Sequence, residues 1–249
     1  MYAVIGGSGL STLSTLDVTR REVMRTPYGE PSGALSFGHL GGRAIVFLPR
    51  HGHGHTIPPH RINYRANLWA VREAGVEGVI AVTSVGGIHH DFGPGTLVLP
   101  DQIIDYTHSR DHTYFEGRES SIDAPVSHID FTLPYSKPLR ERIRAAALKA
   151  GETLHDGGVY GASQGPRLET AAEIRRMERD GCDLVGMTGM PEAALARELG
   201  MEYACLSVVV NHAAGKGDSS ESISLDHVGQ VMQRSIARVL RILEALVQA

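Results

Sequence analysis

Short segments rich in glycine and hydroxyl side chains recur in this chain of 249 residues, each directly after a run of apolar residues. They cover residues 6–9, 83–87 and 187–189. Backbone N–H groups in such segments form anion sites, and ligands of α/β sheets bind where strand ends meet loops. Arg50-His51 follows a fourth apolar run, and a guanidinium group can bind phosphate through two parallel hydrogen bonds. With hydroxyl donors from Ser8, Thr83 and Thr188, the pattern predicts a site for inorganic phosphate or a phosphoryl group.

The histidine-rich segment 50–60 offers a different interpretation, a metal site. His51, His53 and His55 are spaced at i, i+2 and i+4, and histidines so spaced bind transition metals. The segment holds no carboxylate and no cysteine, and its alternating glycines suit a loop that a ligand approaches closely. We therefore favour a polar loop with one or two functional histidines and predict no bound metal.

Five motifs resemble, in order and spacing, the purine nucleoside phosphorylase and methylthioadenosine phosphorylase family. They are Leu48-Pro49-Arg50-His51-Gly52, Asn63-Tyr64-Arg65-Ala66-Asn67, Thr83-Ser84-Val85-Gly86, Gly165-Pro166-Arg167-Leu168-Glu169-Thr170-Ala171-Ala172-Glu173 and Met187-Thr188-Gly189-Met190-Pro191-Glu192. The resemblance extends from Gly6 to the end of the chain. It implies a mixed sheet flanked by helices, assembly as a homotrimer, and attack of phosphate on C1′ of a purine nucleoside.

The resemblance also implies the roles of individual residues. Met187 would cover the ribose, and phosphate would be held by Ser8, Arg50, His51, Thr83, Ser84 and Thr188. In the methylthioadenosine enzymes the position of Ser84 is usually alanine, so the role of this hydroxyl stays open. Because phosphate is itself the nucleophile, the protein has to position it and to stabilise charge on the ribosyl group and the departing purine. We expect inorganic phosphate as a co-substrate and no cofactor.

The predicted base site departs from the methylthioadenosine pattern, in which an Asp-x-Asp pair follows the long strand. Here that place reads Val210-Asn211-His212-Ala213. Asn211 resembles the asparagine of 6-oxopurine phosphorylases, which pairs with N7 and O6, and Glu169 resembles their glutamate, which accepts N1–H. Adenine N1 would be repelled by an ionised Glu169, and such sites reject mismatched analogues by ~10⁴ in favourable cases. We predict Asn211, Glu169 and His51 as catalytic residues; the alternative is a plain helix-start carboxylate and a turn residue.

The predicted sugar site points to an apolar 5′ substituent. Where the 6-oxopurine phosphorylases place a histidine for the 5′-hydroxyl, this chain has Leu225, followed by Val228. Both can bury a thiomethyl group, which contributes about 1–2 kcal/mol; the alternative is that both are plain helix core. His128 resembles the family histidine that reaches the 5′ group from a neighbouring subunit. A 6-oxopurine site with an apolar 5′ pocket predicts 5′-methylthioinosine as the substrate.

Three other functions remain open at this point. The first is a broader phosphorylase, acting on inosine and guanosine or on methylthioadenosine. The second is a non-catalytic nucleoside-binding protein, against which the intact set of predicted site residues argues. The third is a metalloprotein that uses the histidine loop.

Composition narrows the partners and the compartment. The 24 basic and 28 acidic residues give a net charge of −4, and no basic run predicts nucleic-acid or membrane binding. Cys182 and Cys205 lie in separate segments, which excludes a zinc ribbon and suits a reducing compartment. The first residues lack the positive region of a signal peptide, and the apolar runs are far shorter than the ~20 residues that span a bilayer. We predict a cytoplasmic protein.

The elements that must position these residues alternate between strand and helix, which predicts a single α/β domain over residues 1–249. Predicted strands cover residues 2–5, 34–37, 44–48, 79–82, 96–99, 157–160, 183–187 and 203–210. Predicted helices cover residues 60–73, 138–150, 169–179, about 191–199 and 224–247. A hairpin with a loop over residues 38–42 makes the predicted sheet mixed rather than purely parallel.

Overall fold

The computed structural model describes residues 1–10, 13, 15–116 and 128–248. Its strands form one sheet and are β1 (Tyr2–Gly6), β2 (Asp17–Glu22), β3 (Leu35–Leu40), β4 (Arg43–Pro49), β5 (Gly78–Gly87), β6 (Leu97–Leu99), β7 (Gln102–Asp105), β8 (His155–Asp156), β9 (Val159–Ala162), β10 (Leu184–Gly186) and β11 (Glu202–His212). Its α-helices are α1 (Tyr64–Glu73), α2 (Lys137–Lys149), α3 (Ala171–Arg179), α4 (Gly189–Glu198) and α5 (Leu225–Val247).

The central strand of the sheet is β5. It pairs in parallel with β1 and β11, and its carboxyl-terminal part pairs antiparallel with β10. On the far side of β1, β4 is parallel to β1, whereas β3 and β2 follow in antiparallel pairs. The predicted α/β class with a mixed sheet flanked by helices is confirmed.

Helices cover both faces of the sheet. Successive side chains of a strand point to opposite faces, and in β1 Ile5 packs in a cluster with Leu68 of α1, whereas Val4 packs in a second cluster with Ile143 of α2 and Ile242 of α5. All of these side chains are fully buried. The sheet is therefore the middle layer of three, and the loops at its strand ends remain free to form a site.

The helix predictions are confirmed except at three starts, of which that of α4 lies at Gly189 rather than at the predicted Pro191. Helix α1 begins at Tyr64 rather than His60, because the Asn63 side chain accepts a hydrogen bond from the Ala66 N–H and caps it. Helix α3 begins at Ala171 rather than Glu169, because Thr170 and Glu173 form a capping box. Glu169 therefore lies in the preceding irregular segment, free of helical geometry.

Two strand predictions are too short. The hairpin loop contains only Gly41 and Gly42, whose φ values of 55° and 82° suit a tight turn, and β3 continues to Leu40. Strand β5 continues past Val82 to Gly87, because its second half finds partners in both β10 and β11. The sequence analysis predicted neither β2, whose six residues are all exposed, nor the short strands β7 and β8. Among the described helices, none is both long and apolar enough to cross a membrane.

Candidate active site

A cavity of about 750 Å³ lies where β1, β4, β5 and β11 end. The predicted site residues that line it are Ser8, Arg50, His51, Thr83, Ser84, Glu169, Met187, Thr188, Asn211, Leu225 and Val228. His128 does not line it and is exposed next to residues 117–127, which lie outside the described part of the chain. The fold thus brings together all of the predicted residues except the one expected to act on a neighbouring subunit.

The hydroxyl groups reach the cavity by three routes. Ser8 follows the end of β1, as predicted, but Thr83 and Ser84 lie within β5 rather than in a loop after it. Strand β10 runs antiparallel to β5, so Met187 and Thr188, which follow the end of β10, lie beside the second half of β5. The polar side chains therefore converge through strand pairing as well as through the meeting of parallel strand ends.

Arg50 does not present a free two-pronged guanidinium to the cavity, and that part of the prediction is wrong. Its Nε and Nη2 donate to the two carboxylate oxygens of Glu192 at 2.6 and 2.8 Å, and both side chains are fully buried. Nη2 also donates to the Ile5 carbonyl, and Nη1 donates to the Val82 carbonyl. One N–H of Nη1 is left for a ligand. Burial by itself would lower the pKa of Arg50, but the Glu192 carboxylate more than offsets this and raises it.

The Thr83 hydroxyl lies within hydrogen-bond distance of two buried side chains of β11, those of Cys205 and Ser207. Its Oγ1 lies 3.0 Å from Ser207 Oγ and 3.2 Å from Cys205 Sγ, and Ser207 and Cys205 are themselves 3.3 Å apart. If Ser207 and Cys205 donate their protons within this group, the Thr83 proton is free to point into the cavity. Burial raises the pKa of the Cys205 thiol, so this group keeps its proton at neutral pH.

His51 is a neutral ring with a fixed tautomer. Burial and the charge of Arg50 lower its pKa to about 4. Nδ1 lies 2.9 Å from the Ile57 carbonyl, which can only accept, so Nδ1 carries the proton and Nε2 keeps a lone pair. The His55 ring stacks at 4.3 Å from His51, whereas His53 is exposed. Among the described residues, the three potential metal ligands that lie together are His89, His90 and Asp91, outside this loop.

The two predicted base-binding residues both line the cavity. Asn211 sits next to a β-bulge, where the register between β11 and β5 shifts between Val209 and Asn211, and bulges of this kind re-aim side chains. Its Nδ2 donates to the His212 carbonyl at 2.6 Å, which leaves Oδ1 and one N–H for a ligand. Glu169 accepts a hydrogen bond from the Ser163 hydroxyl.

The apolar end of the cavity is formed around the start of α5. Leu225 and Val228 line it, as predicted, and Ile223, which the sequence analysis did not single out, joins them. Leu225 is 71% exposed in the single chain, so it is not helix core, whereas Val228 is half-buried. The Ser224 side chain caps α5 through the His227 N–H and thereby fixes the direction in which the helix leaves the cavity.

Two buried charged residues that hold parts of the site in place were missed by the sequence analysis. Glu192 lies in a quoted motif, but nothing local marks it as the partner of Arg50, 142 positions away. Arg110 joins the two loops of the base and ribose region: it donates to the carbonyls of Gln164 (2.7 Å), Met187 (2.9 Å) and Met190 (2.6 Å). Only an isolated arginine after a run of polar residues could have drawn attention to Arg110.

Hydroxyl donors, a neutral histidine and amide and carboxylate groups thus surround one cavity. The family model described as Phosphorylase superfamily matches residues 1–248, and the chain belongs to this superfamily.

Similar proteins carry more specific names. Over all 249 residues the chain is 50% identical to a probable S-methyl-5′-thioinosine phosphorylase of Pseudomonas syringae pv. tomato, covering 99% of that protein. It is 44% identical to the 6-oxopurine nucleoside phosphorylase of Pyrococcus furiosus, over 98% of this chain and 91% of that one. A crystal structure of methylthioadenosine phosphorylase from Schistosoma mansoni with adenine matches 99% of this chain and 90% of its own, with a TM-score of 0.94 and 31% identity.

Proposed function

We propose that the protein catalyses the phosphorolysis of 5′-methylthioinosine to hypoxanthine and 5-methylthioribose 1-phosphate. The observation that carries this proposal is that one cavity is lined by phosphate-type donors, by Glu169 and Asn211, and by the apolar Leu225 and Val228. The names of the similar proteins from Pseudomonas syringae and Pyrococcus furiosus support the same reaction and the same class of base. The reaction serves purine salvage and needs no cofactor.

At the phosphate end, the protein positions the nucleophile. The hydroxyls of Ser8, Thr83 and Thr188 donate to phosphate oxygens, and the remaining N–H of Arg50 adds a charge-assisted donor. The neutral His51 accepts a hydrogen bond at Nε2 from the P–OH group, so the dianion keeps its proton and binds with its free oxygens towards C1′. A phosphate oxygen then forms a bond to C1′ while the bond from C1′ to N9 breaks, and its electron pair passes to the purine.

At the base end, Asn211 and Glu169 receive the purine as it departs. The Asn211 carbonyl accepts a hydrogen bond from the N–H of a protonated N7, and its free N–H donates to O6. Glu169 accepts the N1–H that a 6-oxopurine carries and adenine lacks. Hydrogen bonds that strengthen while the base becomes anionic lower the barrier, whereas those made equally in the ground state govern binding.

At the sugar end, we propose that Met187 covers the ribose while Ile223, Leu225 and Val228 bury the methylthio group. The high exposure of Leu225 in a single chain supports assembly as a homotrimer, in which a neighbouring subunit would cover it and bring its own copy of His128 to the 5′ group. A cytoplasmic location fits the substrate, which is a small intracellular type of nucleoside.

Base release from methylthioinosine, inosine and methylthioadenosine, each with and without phosphate, tests the proposed function. Base release should require phosphate. The kcat/KM for methylthioinosine should exceed that for inosine by about ten- to a hundred-fold, because the 5′-hydroxyl of inosine would find no hydrogen-bond partner in an apolar pocket. Equal release in phosphate-free buffer would identify a hydrolase. A ratio of methylthioinosine to methylthioadenosine at or below one would reject the base assignment, and tight nucleoside binding without turnover would favour a binding protein.

The Leu225→His variant tests the apolar 5′ pocket. A histidine at this exposed position can bond a 5′-hydroxyl, so the gap in kcat/KM between methylthioinosine and inosine should shrink, mainly through a gain with inosine. Because Leu225 is largely exposed, the change should alter stability by no more than about 0.5 kcal/mol. The exposed Leu148→His on α2 is the matched control, since it lies outside the cavity and should leave the ratio unchanged.

A further inference from the structure

The base-recognition carboxylate stands between two cavities. Glu169 lines the active-site cavity and also a second cavity of about 370 Å³ behind it. The second cavity is lined in addition by Ser163, Arg167 and Arg176. A half-buried glutamate at such a boundary has room to turn either towards the substrate or away from it.

The backbone around Glu169 does not hold its side chain in place. Helix α3 begins only at Ala171, and residues 166–168 are exposed. The nearest cation in sequence, Arg167, does not pair with Glu169, because its two Nη atoms donate to Glu173 at 2.8 and 2.7 Å. The direction of the Glu169 carboxylate therefore has to be set by another group.

That group is Ser163, whose hydroxyl donates to Glu169 Oε1. Among the described residues, no other side chain hydrogen-bonds this carboxylate, so Oε2 keeps its capacity to accept. Ser163 is itself well anchored: its N–H donates to the Gly186 carbonyl at 2.8 Å, and its carbonyl accepts from Arg110 Nη2 at 3.3 Å. It is also 93% buried, with a relative exposure of 7%.

We propose that Ser163 is a positioning residue that sets base selectivity. By fixing Oε1, it keeps Oε2 of Glu169 directed at N1–H of a 6-oxopurine and keeps the carboxylate from turning into the second cavity. This inference rests on the proposed function, since it assumes that Glu169 reads the base. Without the Ser163 hydroxyl, the Glu169 carboxylate would still lie near the base but would no longer select between bases.

Equilibrium binding of free bases to the intact enzyme tests the proposal without relying on turnover. Hypoxanthine carries N1–H, whereas unsubstituted purine has only an acceptor at N1. Ser163→Ala should weaken hypoxanthine binding about tenfold, as expected for losing a hydrogen bond to a charged group, and change purine binding by less than about twofold. In turnover, kcat/KM for methylthioinosine over methylthioadenosine should fall by a similar factor, and Ser163→Thr, which keeps the hydroxyl, should restore selectivity.

A second buried serine provides the control. Ser235 on α5 is 2% exposed and does not line either cavity, so Ser235→Ala should leave the ratio of hypoxanthine to purine affinity unchanged. Equal losses of affinity for hypoxanthine and for purine in Ser163→Ala, or no loss for either, would leave the ratio of the two affinities unchanged. Either result would overturn the proposal. If the unmutated protein itself binds hypoxanthine no better than purine, the base assignment in the proposed function fails as well. Discrimination in the unmutated protein that persists in Ser163→Ala overturns only the role of Ser163.

Discussion

Replacing Arg50 with methionine is expected to lower the free energy of unfolding by about 3–5 kcal/mol, because the change leaves the buried carboxylate of Glu192 without its partner. Glu192 also accepts from the Tyr203 hydroxyl at 2.8 Å, so a neutral contact remains, but no cation does. The same variant should raise the KM for phosphate by about tenfold or more, because a charge-assisted hydrogen bond and a nearby positive charge are lost. Urea unfolding at a fixed protein concentration and phosphate titrations measure the two effects.

The double variant Arg50→Met/Glu192→Leu separates the two roles of Arg50. Removing both charges replaces a buried ion pair with apolar side chains, which is often close to neutral for stability. Stability should therefore recover in large part while the KM for phosphate stays high. Recovery of phosphate affinity in the double variant would show that Arg50 acts only on the fold. An Arg50→Met protein as stable as the parent would contradict the buried ion pair.

Replacing Asn211 with alanine is expected to reduce kcat for methylthioinosine by about 10²-fold or more, the size found when one preorganised charge-stabilising group is lost. The physical reason is that negative charge spreads onto the imidazole side of the purine as the glycosidic bond breaks. Asn211 faces the cavity with a free carbonyl oxygen, and its amide is held by the His212 carbonyl at 2.6 Å. Single-turnover base release at saturating phosphate measures the chemical step separately from product release.

The neighbouring His212 provides the control for Asn211. His212→Ala keeps the backbone carbonyl that orients Asn211 and removes a ring that bonds Asp218 outside the cavity, so kcat should change by no more than a few-fold or so. Asn211→Asp should recover part of the activity with methylthioadenosine, because a carboxyl group can share a proton with N7. It should not reach the level of an adenine enzyme, since Glu169 still faces adenine N1. A kcat for Asn211→Ala close to that of the unmutated protein would refute the role of Asn211 in the barrier.

Much of the fold follows from short-range patterns. The continuous apolar run of β1 and the apolar stripe of α5 are determined by neighbouring residues, and Ser224 caps α5 through a backbone N–H three positions away. Glycine at Gly41 and Gly42 marks a turn because those positions need positive φ. Each of these signals is confined to one element, which explains why the elements and the family were predictable from the sequence.

The sequence predicted many of the residues that line the cavity, but not how they are held. Arg50 was predicted to bind phosphate through two hydrogen bonds of its guanidinium group, yet its Nε and Nη2 donate to Glu192 of α4. Thr83 was predicted in a loop, yet it lies in β5 and is supported by Ser207 of β11. Glu169 was predicted at a helix start, yet it lies before α3.

The physical reason for this division is the range over which each contact acts. Composition, periodicity and capping depend on residues within a few positions of one another, so the sequence by itself determined the α/β class and most elements. The resemblance of its motifs to a known family indicated a part of the cavity wall. The pairing of Arg50 with Glu192 joins residues 142 positions apart, and that of Thr83 with Ser207 joins residues 124 apart. Such partners meet only because the strands of the sheet lie side by side and a helix packs across them, so only the tertiary structure decided which donors remain free for a ligand.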